Sequence, residues 1–390
     1  MARKWSICLF VLLLLLPGQS TTYQSAQSPQ YSSQVDDCAV IESLRFNGSQ
    51  AFEDLVWQVE LGPRLPGSEV SAQFRENLTI ELEDLGFDVT TSEHEHLNYN
   101  FTNLYATFSP DDVEDVHPRV ILSAHYDSRN IADRDENVSN HQLPIDGAND
   151  GASGSAVLME LARLIPTMNL TYPIQLFWND AEDQDDNYTL GSKAWSENLT
   201  ESEIESIDAF LLLDMIGDVN LTLHKIIPGN ESLFQQFESI VRTLGYDGSS
   251  PCQTDFPNGI LDVNRSTVVF DDHVHPLGLG IPSIDIMDPV YGEESESGFG
   301  TLWHTTNDTV EHVSAASLLA IGRIIEYGLE QDLFIDYFIE FENVSQPIEN
   351  TSNEKDSPPP KEIGWVGMPS HPMIFLLAFI WFNKRRQMYH

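Results

Sequence analysis

The sequence contains little cysteine, which limits its disulfide and metal chemistry. There are 3 cysteines among 390 residues. Cys8 lies within an N-terminal apolar run that is predicted to be removed as part of a signal peptide. Cys38 and Cys252 are therefore the only candidates for an intramolecular disulfide bond. Two thiols are too few for a disulfide-dense scaffold or for a cysteine-ligated zinc site.

Basic residues are also scarce. The chain carries 19 Lys and Arg against 61 Asp and Glu, a formal charge of −42. This charge repels a phosphate backbone and argues against nucleic-acid binding. The glycine-rich stretch 147–154, GANDGASG, is not followed by Gly-Lys-Ser/Thr, so we reject a nucleotide-binding P-loop. The 41% of hydrophobic residues, in strand-length runs, still predicts a folded core.

The two ends of the chain differ in composition from its centre. Basic residues followed by an apolar run predict a signal peptide over residues 1–20. The Ser/Gln/Tyr-rich segment 21–36 is predicted to be disordered, and the polar, proline-bearing stretch 342–362 is typical of a linker. We expect one folded domain over 37–341 and interpret 363–390 as a membrane anchor with a short basic tail.

The predicted anchor and the glycosylation signals both concern localisation. The mostly apolar residues 363–382 precede three basic residues, 384–386, as in a single span whose basic end is cytoplasmic. Two prolines interrupt the run, so an interfacial or docked helix is the alternative. Thirteen Asn-x-Ser/Thr sequons favour export. We expect an exported glycoprotein, extracellular or at the cell surface, and the sequence carries no signal for its oligomeric state.

Strand-like and helix-like segments alternate through the central region. The short apolar runs typical of buried strands are 119–126, 173–180, 209–216 and 282–288, and the segments with helical periodicity are 153–165 and 313–331. Apolar strands separated by helices predict an α/β fold, a three-layer α/β/α arrangement with a mostly parallel mixed central sheet. In such folds the functional site lies beyond the carboxyl ends of the strands.

Polar residues recur where these strands end. They are His125, Asp127, Asp150, Asp180, Glu182, Asp183, Asp214, Asp271, Asp272, His273, His275, His304 and Asp308. Singly, each has a structural explanation, since Asp150 could cap the following helix and His275 is predicted to be structural. Together they predict a metal site, and His nitrogen with carboxylate oxygen suits Zn²⁺, although other divalent metals stay open.

Five motifs follow one another along the chain: IADRDEN (131–137), PIDGANDGASG (144–154), NDAED (179–183), TLGSKAWSE (189–197) and GFGTLWHT (298–305). Their order resembles that of the glutaminyl-peptide cyclotransferases. Within the zinc aminopeptidase clan, the bacterial-type branch is the more similar. The resemblance spans roughly residues 50 to 330 and identifies 37–341 as a zinc-dependent catalytic domain of the M28-like type.

Carried over residue by residue, the resemblance implies specific roles. Asp150, Asp183 and His304 would hold one catalytic Zn²⁺, and Glu182 would be the general acid/base. The remaining implied roles are a supporting hydrogen-bond network of Asp214 and Asp272 and a substrate-pocket wall of Trp303. The animal cyclases have a second pocket tryptophan after the acidic pair. This chain has QDDNYTLGS there, so Tyr188 or Trp195 is the candidate substitute.

The implied activity is cyclisation of the N-terminal glutamine of peptides or proteins to pyroglutamate, with release of ammonia. The alternative is a secreted di-zinc aminopeptidase, in which His125 and Asp214 hold a second metal and Asp150 bridges the two. A third reading is a non-enzymatic binding module, which loss of ligands would favour, and no ligand has been lost. Only the sequence segments that surround the ligand residues favour the cyclase, because the ligand residues alone do not separate it from the peptidase.

Overall fold

The computed structural model describes residues 37–335, apart from 112, 114–116, 254 and 296–297. The predicted signal peptide, disordered segment, linker and membrane anchor lie outside the described residues, as do residues 336–341 of the predicted domain. Among the described helices, none has the length and apolar composition needed to cross a bilayer.

Helices form wherever an apolar stripe can be buried against the sheet or against another helix. The α-helices of the described residues are α1 Asp37–Ser43, α2 Gly48–Glu60, α3 Glu69–Asp84, α4 Ala152–Leu164, α5 Leu190–Asn198, α6 Glu201–Ser206, α7 Glu231–Thr243, α8 Val274–Gly278 and α9 Ala315–Glu330. Short 3₁₀ helices occupy Val138–Asn140, Ile165–Thr167 and Val310–His312. Most longer helices begin at a polar N-cap, such as Asn47 before α2 and Ser68 before α3.

Strands coincide with the apolar runs, and further strands occur in more polar segments. The strands are β1 Asp88–His96, β2 Tyr99–Phe108, β3 Val120–His125, β4 Ile174–Asn179, β5 Asp183–Gln184, β6 Asn187–Tyr188, β7 Ala209–Asp214, β8 Leu223–Ile227, β9 Leu261–Val268 and β10 Ser283–Met287. The central sheet has six strands in the order β1-β2-β4-β3-β7-β10. Strands β4, β3, β7 and β10 are parallel, while β1 and β2 form an antiparallel hairpin against β4.

Helices cover both faces of this sheet. On one face, α2, α4 and α9 pack in the main core, which includes Val120, Leu122 and Leu211. On the other, Trp195 of α5 packs against Phe177 and residues that alternate with those of the main core. Successive strand residues point to opposite faces, so strands covered on both sides need apolar residues throughout. The predicted three-layer α/β/α fold with a mostly parallel mixed sheet is confirmed.

A disulfide bond ties the N-terminal helix to the body of the domain. Cys38 in α1 is bonded to Cys252, which follows α7, and their Cα atoms are 5.6 Å apart. The two cysteines that the sequence left as the only candidates therefore pair. A bond of this kind is consistent with an exported protein.

Candidate metal centre and catalytic pocket

The parallel strands deliver their last residues to one edge of the sheet. His125 ends β3 and Asp214 ends β7, and Glu182 and Asp183 follow β4 directly. Register pairs His125 with Asn179 of β4 and Asp214 with Met287 of β10, so these carboxyl ends are level. Asp150, just before α4, and His304, before α9, complete the group from two loops.

Three buried side chains form a set that fits a metal ion. His304 Nε2 lies 3.2 Å from Asp183 Oδ2 and 3.7 Å from Asp150 Oδ2. Both carboxylate oxygens are buried and have no hydrogen-bond partner among the described residues. Two carboxylates and one imidazole form a donor set that suits Zn²⁺ and leaves a coordination position open for substrate. Asp150, Asp183 and His304, the ligands implied by the sequence, are thus brought together with their ligand atoms within 4.8 Å of one another.

A second set shares Asp150 with the first. His125 Nε2 is 3.2 Å from Asp150 Oδ1 and 3.2 Å from Asp214 Oδ1. Asp150 therefore presents one oxygen to each set, the arrangement expected of a bridging carboxylate. The structure brings together the residues of both the one-zinc and the two-zinc readings.

Asp127 fixes the backbone of the two acidic neighbours Glu182 and Asp183. Its carboxylate accepts hydrogen bonds from the N–H groups of Glu182, at 3.0 Å, and Asp183, at 3.1 Å. The same carboxylate lies 3.4 Å from His125 Nδ1. Asp308 acts similarly on Asp150, accepting from its N–H group at 3.2 Å. Neither residue lies in the metal sets, but both position residues that do.

Arg129 and Asp133 contact the candidate ligands Asp183 and His304 on the sides that face away from the metal set. The buried Arg129 guanidinium donates to Asp183 Oδ1 and to Asp133 Oδ1, the latter at 2.8 Å. Asp133 Oδ1 lies 3.4 Å from His304 Nδ1, too far for a good hydrogen bond but close enough for charge to act. Because Arg129 occupies Oδ1 of Asp183, only Oδ2 faces the site. Asp133 belongs to the motif IADRDEN, whereas no sequence motif assigned a role to Arg129.

Arg64 holds the glycine-rich loop in place. It is fully buried and donates to the carbonyl oxygens of Tyr126 at 2.8 Å, Asp146 at 3.0 Å and Gly147 at 2.8 Å. Burial lowers the pKa of its guanidinium to about 10. These three hydrogen bonds hold the carbonyl groups of the loop in place and so set the path by which the loop reaches Asp150.

Glu182 lies in a cavity of about 340 Å³ that includes the first metal set. Its side chain is buried, and burial raises its pKa well above the usual range of a glutamic acid. The negative charge of Asp271, which lines the same cavity, raises the pKa of Glu182 further. A carboxyl group with a raised pKa in a pocket is suited to proton transfer near neutral pH.

Asp214 and Asp271 line the cavity, whereas Asp272 lies behind it. Asp272 is fully buried and accepts a hydrogen bond from Asn179 Nδ2. Its backbone carbonyl accepts from Ser192 at 2.7 Å. Burial raises the pKa of Asp272 to about 8. Of Asp271 and Asp272, it is Asp271 that lines the cavity with Glu182. The sequence-based assignment had given Asp271 no role.

Aromatic side chains wall the cavity. Trp303 lines it, as expected, and stacks on Phe299 with ring centroids 4.5 Å apart. Tyr188 also lines it, with the Arg129 guanidinium 5.6 Å from the ring centroid. Trp195 instead stacks within the core, 5.4 Å from Phe210. Of the two candidates for the place of the second pocket tryptophan, Tyr188 lines the cavity and Trp195 does not.

Left-handed backbone conformations cluster at the site. Ala181, Met215 and His304 have φ values of 57°, 50° and 56°, although none is glycine. Such conformations are costly for residues with a side chain and persist where the surrounding structure enforces them. Here they turn Glu182 and the His304 imidazole toward the cavity, which no sequence pattern indicated.

The sequence is similar to a known protein family and to proteins of known name. A family model described as peptidase family M28 matches residues 103–328. A glutaminyl-peptide cyclotransferase of Drosophila melanogaster is 25% identical over 297 residues, which cover 69% of this chain and 77% of the fly protein.

Solved structures of similar proteins extend the comparison. A glutaminyl cyclase of Tannerella forsythia has 30% identity and a TM-score of 0.62, and the match covers 74% of this chain and 99% of that one. A Zn-dependent exopeptidase of Parabacteroides distasonis has 30% identity and a TM-score of 0.63, with the same coverage. Similar structures thus carry both cyclase and exopeptidase names.

Proposed function

The chain belongs to peptidase family M28, and on that premise we propose that it is a zinc-dependent glutaminyl-peptide cyclotransferase. The substrates are peptides or proteins with an N-terminal glutamine. The observation that carries the proposal is the placement of Glu182 in one cavity with Asp150, Asp183 and His304. The similarity to proteins named glutaminyl cyclases supports it.

The three ligands would hold the metal at the floor of the cavity. A Zn²⁺ ion held by these residues would supply a Lewis acid for the γ-carbonyl group of the glutamine and for the negative charge that develops on its oxygen. Arg129 keeps Asp183 oriented with a single oxygen toward the metal. Trp303 and Tyr188 enclose the glutamine side chain and keep water away from the reacting atoms.

Glu182 moves the proton in this reaction. The α-amino nitrogen of the substrate attacks its own side-chain amide carbon, so that a C–N bond forms within a five-membered ring. Glu182 takes a proton from that nitrogen and gives it to the departing amide nitrogen, whose C–N bond breaks to release ammonia. The raised pKa of Glu182 matches this double role, since the group must both accept and donate.

The second candidate function is a di-zinc aminopeptidase of the same family. The observation that favours it is the geometry of His125, Asp150 and Asp214, which could hold a second metal. In that case Glu182 would activate water for hydrolysis of the first peptide bond. The two functions differ in metal requirement, because the cyclase needs one Zn²⁺ per chain and the peptidase needs two.

A single variant tests the cyclase proposal. We expect the wild-type protein to release ammonia from Gln-Ala-Phe with about one Zn²⁺ per chain, and Glu182→Gln to keep that zinc while turnover falls at least about 100-fold. Asp186→Asn, an exposed acidic residue in the loop behind, is the control for a lost negative charge. A fully active Glu182→Gln variant would refute the base assignment. A requirement for two equivalents of zinc would favour the peptidase.

Export and glycosylation are part of the proposal. Eleven of the thirteen sequons lie in the described residues, and their asparagines are exposed in nine cases, half-buried in two and buried in none. By contrast, Asn103, Asn149 and Asn179, which are outside sequons, are fully buried. Accessible sequons and the Cys38–Cys252 bond support passage through the secretory route. Digestion with an N-glycosidase should lower the apparent mass, and no change would contradict it.

Membrane attachment stays a prediction from the sequence of residues 363–382, which lie outside the described residues. It predicts that the full-length protein needs detergent for extraction and that truncation after Lys361 removes this need. A full-length protein found wholly in the soluble exported fraction would argue against the anchor.

A further inference from the structure

Two large apolar side chains stand exposed at the rim of the cavity. Val268, the last residue of β9, is 77% exposed, and Phe270 is 66% exposed. Val269 between them is buried in a cluster with Met215 and Met287. Alternation along an extended segment places Val268 and Phe270 on the same side. We call this pair the apolar ledge.

The apolar ledge is continuous with the catalytic cavity. Val268 and Phe270 line the same space as Glu182 and His304. The other aromatic residues of the lining are less accessible, since Tyr188 is 37% exposed and Trp303 is half-buried. Exposed apolar side chains scattered singly are ordinary, but a pair joined to a catalytic pocket indicates a binding surface.

The path of the substrate determines which group meets the ledge. For cyclisation, both the side-chain amide and the α-amine of the glutamine must reach the floor of the cavity, near Glu182. The rest of the substrate peptide, which is attached at the glutamine carbonyl carbon, can therefore extend only through the mouth of the cavity. The Cα atom of the second residue lies about 3.8 Å from that of the glutamine, so the second residue of the peptide carries the first side chain at the rim.

We propose that the apolar ledge binds the side chain of the residue after the N-terminal glutamine and selects large apolar or aromatic residues there. This inference rests on the proposed cyclase function. Contact with Val268 and Phe270 removes apolar surface from water on both partners, which favours binding of Phe or Leu over Gly. Since the reacting atoms lie deeper in the cavity, the preference should appear mainly in KM.

The experiment compares Gln-Phe-Ala with Gln-Gly-Ala as substrates of the zinc-loaded protein. We expect the wild type to favour Gln-Phe-Ala about tenfold in kcat/KM. In the Val268→Ser/Phe270→Ser variant this ratio should fall to about one, with the change in KM for Gln-Phe-Ala. Phe270→Leu should retain most of the preference. Val263→Ser is the matched control, because Val263 is an exposed valine of the same strand, at 49%, and does not line the cavity.

The outcomes separate the ledge from the cyclase reaction. Turnover of both peptides with a wild-type ratio near one, or a ratio that the double variant leaves unchanged, would overturn the ledge and leave the cyclase intact. Turnover of neither peptide by the wild type would overturn the proposed function and, with it, the ledge. Because both substituted side chains are exposed, thermal midpoints of the variants should stay close to that of the wild type.

Discussion

Asp271 and Asp272 are neighbours in the chain with different surroundings. Asp271 lines the catalytic cavity, and its charge acts on Glu182. Asp272 is held by Asn179 on the far side of the segment. Asp271 therefore faces the substrate cavity, whereas Asp272, which lies in the turn that leads into α8, faces the core.

The two aspartates should therefore respond differently to loss of charge. Asp271 and Glu182 are buried acids, and the ionised form of Asp271 raises the pKa of Glu182. Asp271→Asn removes this interaction, and we expect kcat for Gln-Ala-Phe to fall at least about tenfold. Asp272→Asn alters a buried hydrogen bond, so its larger effect should be on the thermal midpoint. Steady-state kinetics and thermal unfolding of both variants decide this. A larger kcat loss in Asp272→Asn would contradict the assignment.

At this scale, the sequence predicted residue types better than their orientation. The positions of Asp150, Glu182, Asp183 and His304 followed from motifs, and the structure brings these residues together. The sequence could not predict which of Asp271 and Asp272 faces the cavity. The two residues are identical and adjacent, so no alternation of polar and apolar residues distinguishes them. The left-handed φ of His304 was equally hidden, since it depends on contacts distant in sequence.

At the scale of single elements, close packing of helix α4 against strand β3 positions two of the candidate metal ligands. Helix α4 starts at Ala152, and its N-cap Gly151, which follows Asp150, lies against the His125 ring. A Cβ atom on Gly151 would lie 2.3 Å from His125 Nε2. The absence of a side chain here therefore lets β3 and α4 approach closely enough for His125 and Asp150 to meet.

Substitution of this glycine should disturb the site strongly. In Gly151→Ala, the added methyl group would displace the His125 imidazole or shift Asp150, and we expect kcat/KM to fall about 100-fold. Gly278→Ala is the control, because no atom lies within 4 Å of a Cβ built there. Peptide kinetics and zinc content of both variants provide the readout. Wild-type kinetics in Gly151→Ala would show that the close approach is not required.

The elements with continuous apolar runs were the predictable ones. Strands β3, β4, β7 and β10 and helices α4 and α9 lie within a few residues of their predicted positions. The hairpin of β1 and β2 was not foreseen, because β1 reads DVTTSEHEH and is largely exposed. Backbone pairing with β2 along its whole length stabilises β1, whose own sequence has no alternating apolar pattern.

The protein buries several acidic side chains in addition to those on its surface. Burial raises the pKa of Asp272 to about 8 and that of Asp180, Asp288 and Asp308 to about 7. In an unfolded chain these groups titrate near 4. The folded protein thus binds more protons than the unfolded chain over this interval, and folding stability falls as pH rises through it.

Metal-free protein should therefore lose stability between pH 6.5 and pH 8.5. Buried His273, whose pKa burial lowers to about 4, has the opposite effect only below about pH 6.5. Added Zn²⁺ should raise the thermal midpoint more at pH 8.5, because its ligands bind in their deprotonated forms. Scanning calorimetry with and without zinc measures both effects. A midpoint of the metal-free protein that rises across this interval would contradict the account.

The most direct test of the account is the identity of the product. The purified domain, residues 37–341, is supplied with Gln-Ala-Phe and Leu-Ala-Phe, with and without a chelator, and the products are followed by mass spectrometry. A cyclase removes one ammonia from the Gln peptide, leaves the Leu peptide intact and loses activity with the chelator. Release of free Leu would contradict the account and assign the protein to the di-zinc aminopeptidases, with His125 and Asp214 holding the second metal.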